Sequence, residues 1–370
     1  MGSDRTSPDE LVIRPELRWE CHRCAACCRR LAVAVTADEV ARIASYPWWR
    51  QGLRFLFGFT RRRTNAEGER EHELKRTGDA CIFLSADGLC LIEQKMGREF
   101  KPRVCRKFPF VFAATTAGAH VAVSPECQSR WRSLAAGPAV AEQRDELFAL
   151  LRESRPFPTK WRYELVPGGG FLRYPEVAGL QEDLGAALVA LDTLAEMPAV
   201  MAELLWRHGA RFDRSEASAE ALDAAFAALH RAVEAGIQRH ETSGFDLVWL
   251  QLVPGAYRAW GNTGGLHFDG AISRFLLAVA RGRIEDDQVL VRAPTVIDGL
   301  GKLVLETALV SVLARALRGQ PGSESRPPVA DANLAYREVS LFLRSAGGET
   351  LQNVATWEGL RRLICAAPRR

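Results

Sequence analysis

The chain has 370 residues, 47% of them hydrophobic and 25% charged, with a formal net charge of +4. That composition suits a globular protein with a sizeable core and two domains, and it excludes a collagen-like, disordered or disulfide-stapled miniature fold. So small a charge on so long a chain gives no global reason to expect binding to nucleic acid or a membrane.

The first ten residues, MGSDRTSPDE, are polar and contain no apolar h-region, so a cytoplasmic protein is expected. Thiols stay reduced in that compartment, so the nine cysteines call for an explanation other than disulfides. Eight of them, Cys21, Cys24, Cys27, Cys28, Cys81, Cys90, Cys105 and Cys127, lie within the first 127 residues, and only Cys365 lies beyond. This break in composition is itself a domain signal, with the boundary expected in the small-residue stretch 132–143.

The run CHRCAACC at 21–28 reads C-x2-C-x2-C-C. Thiolates are soft ligands favoured by zinc and by iron–sulfur clusters, and C-x2-C spacing lets two sulfurs of one turn reach one centre. Adjacent Cα atoms are about 3.8 Å apart, too close for an unstrained disulfide. Cys27 and Cys28 are therefore expected to diverge, serving different centres or dividing into a ligand and a packing residue.

LAVAV (31–35) suits a short strand, and Thr36 with Glu39 reads as a capping box for a helix through about Ser45. Arg61–Arg63 are expected on a solvated basic face. In CIFLSADGLCLI, Asp87-Gly88 between apolar runs signals a tight turn that brings Cys81 and Cys90 together. Lys101, Arg103, Arg106 and Lys107 follow, cations able to offset the charge of a four-thiolate site. FPFVFAATTAGAHVAVSPEC reads as a second hairpin, turning near Ala117-Gly118 and ending on Cys127.

YELVPGGGF predicts a hairpin turn at Gly168–Gly170. Leu180, Leu184, Leu188, Leu191 and Leu194 share one helical face, expected to run until Pro198. Leu222, Phe226, Leu229, Val233 and Ile237 make a second stripe. Further helices are predicted at 269–282, 296–318, 329–346 and 353–365, with GQPGSESRPP (319–328) as a linker. The longest apolar stretch, 303–317, contains Glu306 and Arg315 and falls short of the roughly 20 residues of a membrane span, so a buried helix is expected.

The cysteine run, CIFLSADGLCLIEQ and CRKFPF together resemble the YkgJ-type cysteine-cluster family of zinc- or iron-chelating proteins over residues 18–130. Arg106 and Pro109 fit its C-R-x-x-P signature. The flagellin lysine N-methylases are a second, weaker resemblance, through SPEC (124–127) and the helical region that follows. Their wider spacing in the first cluster sets them apart. They imply an iron–sulfur cluster and, if the chain were a methyltransferase, S-adenosylmethionine.

The chemistry of an enzyme is otherwise sparse. G-x-G-x-x-G, G-x4-G-K-[ST] and H-E-x-x-H motifs do not occur. WGNTGGLHFDG (260–270), with His267 and Asp269, reads first as a helix-entry loop, and His22 and His72 as structural histidines near the thiols. The expectation is a mainly α protein: a cysteine-rich α+β metal-binding module at 15–135, then a mostly helical domain at 140–370. The metal centre is expected to be structural or regulatory, with all eight N-terminal cysteines as candidate ligands. A [4Fe–4S] cluster is preferred over zinc, and the partner is expected to be a protein.

Overall fold

A computed structural model describes residues 10–64, 70–115, 118–124, 126–133, 136–154, 157–158, 162–211, 270–285, 289, 293–319, 325 and 327–342. The chain divides into two compact units. One comprises Ile13–Phe112 and Val121–Pro156, and the other Met1–Val12, Ala113–His120 and Phe157–Arg370. The predicted stripe at 222–237, the WGNTGGLHFDG loop before Gly270, the helix at 353–365 and most of the 319–328 linker lie outside the described residues.

The architecture is the expected one, short strands and helices around the cysteines and a helical remainder. In the cysteine-bearing unit, Ala34–Val35, Arg70–Leu74 and Thr60–Thr64 form an antiparallel sheet in that order. The helix Ala37–Ala44 starts as the sequence predicts: the Thr36 hydroxyl accepts from the Glu39 N–H, and the Glu39 carboxylate accepts from the Thr36 N–H. One apolar core gathers Val35, Ile43, Trp48, Phe55, Phe59, Leu74, Ile82, Phe83, Leu91 and Ile92, among others.

Phe83 is its hub. Its ring meets Trp48 edge-on at 4.7 Å and Phe59 at 5.3 Å, and lies tilted against Phe55 at 5.3 Å. Edge-to-face pairs of this kind add about 0.5–1.5 kcal/mol each beyond area burial. Because Phe83 belongs to the CIFLSADGLCLI segment, seating its ring in the core fixes the cysteine hairpin.

The arginine run is exposed, as expected, and it also engages a buried carboxylate. Arg61 stands directly opposite Glu73 across the strand pair, and Glu73 is 1% exposed. Arg61 Nε donates to Glu73 Oε1 at 3.0 Å and Arg63 Nη1 to Glu73 Oε2 at 3.1 Å. Strand alternation explains this shared pairing, since i and i+2 point to the same side and one buried carboxylate engages both. All three arginines remain exposed, and Arg62 lies between the two that reach Glu73.

In the other unit, Arg162–Val166 and Gly169–Arg173 form the predicted hairpin, with Gly168 and Gly170 at positive φ. Helices Tyr174–Val189, Met197–Arg207, Gly270–Glu285, Val296–Arg318 and Pro328–Phe342 follow. The leucine stripe holds for Leu180, Leu184 and Leu188, but the helix ends at Val189 and Leu194 belongs to a separate short turn. Pro198 does not break a helix. It sits in the first turn of the next one, where its missing N–H has no intrahelical partner to lose.

Val296–Arg318 packs on Pro328–Phe342, and its Glu306 is buried and paired with Arg283 and Ser340. The buried helix expected over 303–317 is therefore present. Among the described residues no helix is long and apolar enough to cross a membrane.

Burial alone pushes the Glu73 carboxyl up, and the Arg61 and Arg63 guanidinium groups more than reverse this, leaving its pKa below the ordinary value. A depressed carboxylate stabilises the fold above its unfolded pKa of about 4.3 and loses that contribution as pH falls through the folded value. Glu73→Gln should therefore cost about 1–3 kcal/mol at neutral pH in urea unfolding. The gap from wild type should close on acidification.

Candidate metal centre

The CHRCAACC run reaches the core through an unusual backbone. Arg23 and Ala25 both take left-handed conformations, with φ of 52° and 56°. Ala25 then begins the one-turn helix Ala26–Arg30, which carries Cys27 and Cys28. Non-glycine residues seldom adopt this region, and where they do the surroundings hold them there. Here the surroundings include Gly88 of the cysteine hairpin, whose α-carbon faces the Arg23 carbonyl and the Ala25 methyl. Gly88 itself needs φ +77°, the turn signal legible in Asp87-Gly88.

The hairpin closes as predicted: Leu84 and Cys90 form an antiparallel bridge, and Ser85 N–H donates to the Leu89 carbonyl at 2.9 Å. Cys81 and Cys90 flank it, each packed against the rim of the apolar core. Cys105 reaches the same rim from the short helix Arg103–Lys107. The Ala26–Arg30 turn packs on the Ala80–Cys81 strand, which brings Cys27 to the group.

Thus Cys27, Cys81, Cys90 and Cys105, from three separated stretches of chain, share one electrostatic neighbourhood. Cys28 adjoins it, its Sγ 3.9 Å from Cys27 Sγ, so this pair stays together rather than diverging. Cys21 and Cys24 are exposed on the loop that leads into the helix.

Cys127 is buried, and its sulfur accepts a hydrogen bond from Trp19 Nε1 at 3.3 Å. The Trp19 ring also meets Phe110 edge-on at 5.0 Å. Among the histidines near the thiols, His22 Nε2 lies 3.4 Å from Glu20, and His72 pairs with Val35 and Arg62 in the sheet.

Burial pushes the Cys81 thiol up to about 11, with Cys90 and Cys27 adding to it. Cys105 is raised by burial and then by Cys81 and Cys90. For Cys27 the hydrogen bond with Cys28 is the largest cause, followed by burial. Cys127 rises to about 11 through burial, against the Trp19 hydrogen bond.

Lys101 acts in the opposite direction on Cys27 and Cys105. It is anchored at 2.7 Å to Glu93 on the helix that follows Cys90. The other cations of this stretch are engaged elsewhere. Arg106 forks onto the Glu153 carboxylate at 3.2 and 2.5 Å, and Arg103 donates to the Glu153 carbonyl at 2.9 Å.

Among the described residues no three histidine, cysteine, aspartate or glutamate side chains already converge on one point as an ion's ligands would. The donor set nevertheless fits a thiophilic metal: three sulfurs at the edge of an apolar core, the Cys27–Cys28 pair on the neighbouring turn, and Lys101 acting on Cys27 and Cys105. Thiols must lose their protons to ligate, so a metal supplies the charge that draws such a group together.

Sequence pattern alone does not reveal what holds Cys105 in place. Glu39 is buried, and its second carboxylate oxygen, Oε1, accepts from the Arg103 N–H at 2.6 Å. One side chain therefore caps its own helix and the helix bearing Cys105. The capping box was legible; its second duty links residues 64 positions apart. Glu39→Ala should lower stability by about 1–3 kcal/mol, in the range of caps and charge-assisted hydrogen bonds. It should also weaken metal affinity without changing stoichiometry at saturating metal, as read by competition with a chromogenic chelator.

Residues 20–128 match the family model CxxCxxCC, described as "Putative zinc- or iron-chelating domain". Neither the curated proteins nor the solved structures contain a match to this chain, so the likeness to flagellin lysine N-methylases stands unsupported. The family match spans every clustered cysteine and supports metal binding by the cysteine cluster of this N-terminal region.

Proposed function

We propose that the cysteine-rich unit holds an iron–sulfur cluster as a structural or regulatory centre, through Cys27, Cys81, Cys90 and Cys105. The observation that carries this reading is the packing of Cys81, Cys90 and Cys105 on one rim of the Phe83 core, with the turn bearing Cys27 laid against the strand of Cys81. Cys28 lies beside Cys27 as a further sulfur, its Sγ 3.9 Å away. Lys101 supplies positive charge beside a centre that thiolates make negative. The exposed Cys21 and Cys24 and the buried Cys127 are further candidates outside this inner group.

When bound, the group would supply electron storage or a structural crosslink. The chain's own part is to position four sulfurs, exclude water from their core side and balance their charge. The protein works in the cytoplasm with a protein as its partner. The methyltransferase alternative would need an S-adenosylmethionine site, and its one candidate loop, WGNTGGLHFDG, has only Gly270 among the described residues.

Anaerobically purified protein should be brown, hold iron and inorganic sulfide, and absorb near about 400 nm, as thiolate-bound clusters do. A colourless protein with stoichiometric zinc and no iron would replace the cluster by zinc at the same thiols. Cys105→Ser and Cys81→Ser should each abolish stoichiometric metal and expose the unit to proteolysis, whereas Cys365→Ser should leave metal content unchanged. Full metal retention in both of the first two variants would remove the proposed ligand set.

A further inference from the structure

Between Tyr46 and Thr64 the chain reads YPWWRQGLRFLFGFTRRRT, with five arginines and no carboxylate. Its large apolar residues divide by direction. Trp48, Phe55 and Phe59 are buried in the Phe83 core, whereas Trp49 is 60% exposed, Leu53 80%, Leu56 57% and Phe57 88%. Four large apolar side chains thus stand out from nine consecutive residues, on a loop whose inward side chains fix it to the core.

Exposure this high describes a projection, not the wall of a groove. Single surface leucines need no explanation, but a contiguous group of this size does. The loop is also stiff and partly self-satisfied in its backbone. Arg50 N–H donates to Pro47, Phe55 to Gly52, Leu56 to Leu53 and Gly58 to Phe55, at 3.0–3.1 Å. Lys75 Nζ donates to the Phe57 carbonyl at 2.5 Å. Such internal pairing lowers the cost of moving a loop out of water into hydrocarbon.

Charge identifies the counterpart. Arg61 and Arg63 are paired with Glu73 and Arg54 Nη1 donates to the Leu84 carbonyl at 3.2 Å, while Arg50, Arg54 and Arg62 all remain exposed cations on and beside the projection. The Arg50 guanidinium lies over the Trp49 ring at 4.9 Å, the amphipathic pairing suited to a boundary between water and an apolar phase. Trp49 and Phe57 could stack on bases, but Leu53 and Leu56 have no π-face to offer and match hydrocarbon better.

We propose that the Trp49–Phe57 loop is an attachment surface for an anionic lipid bilayer, inserting Trp49, Leu53, Leu56 and Phe57 among the lipids while Arg50, Arg54 and Arg62 meet their headgroups. The sequence expectation of no membrane contact follows from the mild global charge and the lack of a span. A contact lying in the interface needs neither. This surface is independent of the metal reading.

Co-sedimentation of the full chain tests it, using vesicles of phosphatidylcholine alone and of phosphatidylcholine mixed with phosphatidylserine. The protein should bind the anionic vesicles and release them as salt rises, with little retention on neutral ones. Leu53→Ser/Phe57→Ser should weaken binding at least about tenfold, because both side chains would leave the acyl boundary. Those side chains are exposed, so circular dichroism and metal content should match wild type. Arg50→Glu/Arg62→Glu should abolish the preference for phosphatidylserine.

Absence of binding to anionic vesicles, or undiminished binding by the serine variant, would overturn the proposal. So would a single-stranded oligonucleotide binding through the same residues while vesicles are ignored.

Discussion

The carboxylate of Glu39 is where the cysteine-rich unit is tied together. One of its oxygens completes the cap of the helix it belongs to, and the other accepts the first free N–H of the helix that presents Cys105. A carboxylate buried beside an apolar core is tolerated only when both oxygens are engaged, and here the engagement joins two distant helix starts. Arg103 at the start of this helix and Arg106 near its end both grip Glu153. The short helix of Cys105, with too few turns to be stable alone, is thereby held at both ends.

The apolar core performs the same service for the hairpin. Phe83 and Ile82 point inward, so the flanking Cys81 and Cys90 come to the rim, and Leu91 and Ile92 anchor the far side. The thiols thus rest on a surface of interlocked rings. Water is kept from one side of the group, and the raised thiol pKa values at Cys81 and Cys105 follow mainly from that burial. An approaching soft metal would meet sulfurs drawn to one side of the unit, with Lys101 moderating the charge that develops.

Local signals were readable in the sequence, and long-range ones were not. The capping box at Thr36, the Asp87-Gly88 turn, the Gly168–Gly170 hairpin and the helix Val296–Arg318 depend on residues within a few positions, so pattern sufficed. The function of Arg61 and Arg63 depended on Glu73 across a strand pair, which no local pattern encodes. Pro198 misled because proline in a helical pattern marks either an end or a beginning, and spacing alone does not choose. The cysteines could be seen as a group, but their division into a gathered set, an exposed pair and a tryptophan-bonded member needed the fold.

The tryptophan that bonds Cys127 has a consequence for the order of events during synthesis. Trp19 also donates its backbone N–H to the Pro138 carbonyl, and the Glu20 N–H donates to Ser133. The beginning of the unit is thus fastened by residues translated more than a hundred positions later. A chain emerging from the ribosome shows Cys21 through Cys28 early, with no native wall against which to place them. Thiols displayed in that interval are open to whatever metal or oxidant is at hand. Long-range closure therefore makes maturation a late step, and faithful loading depends on conditions after the last of these residues has emerged.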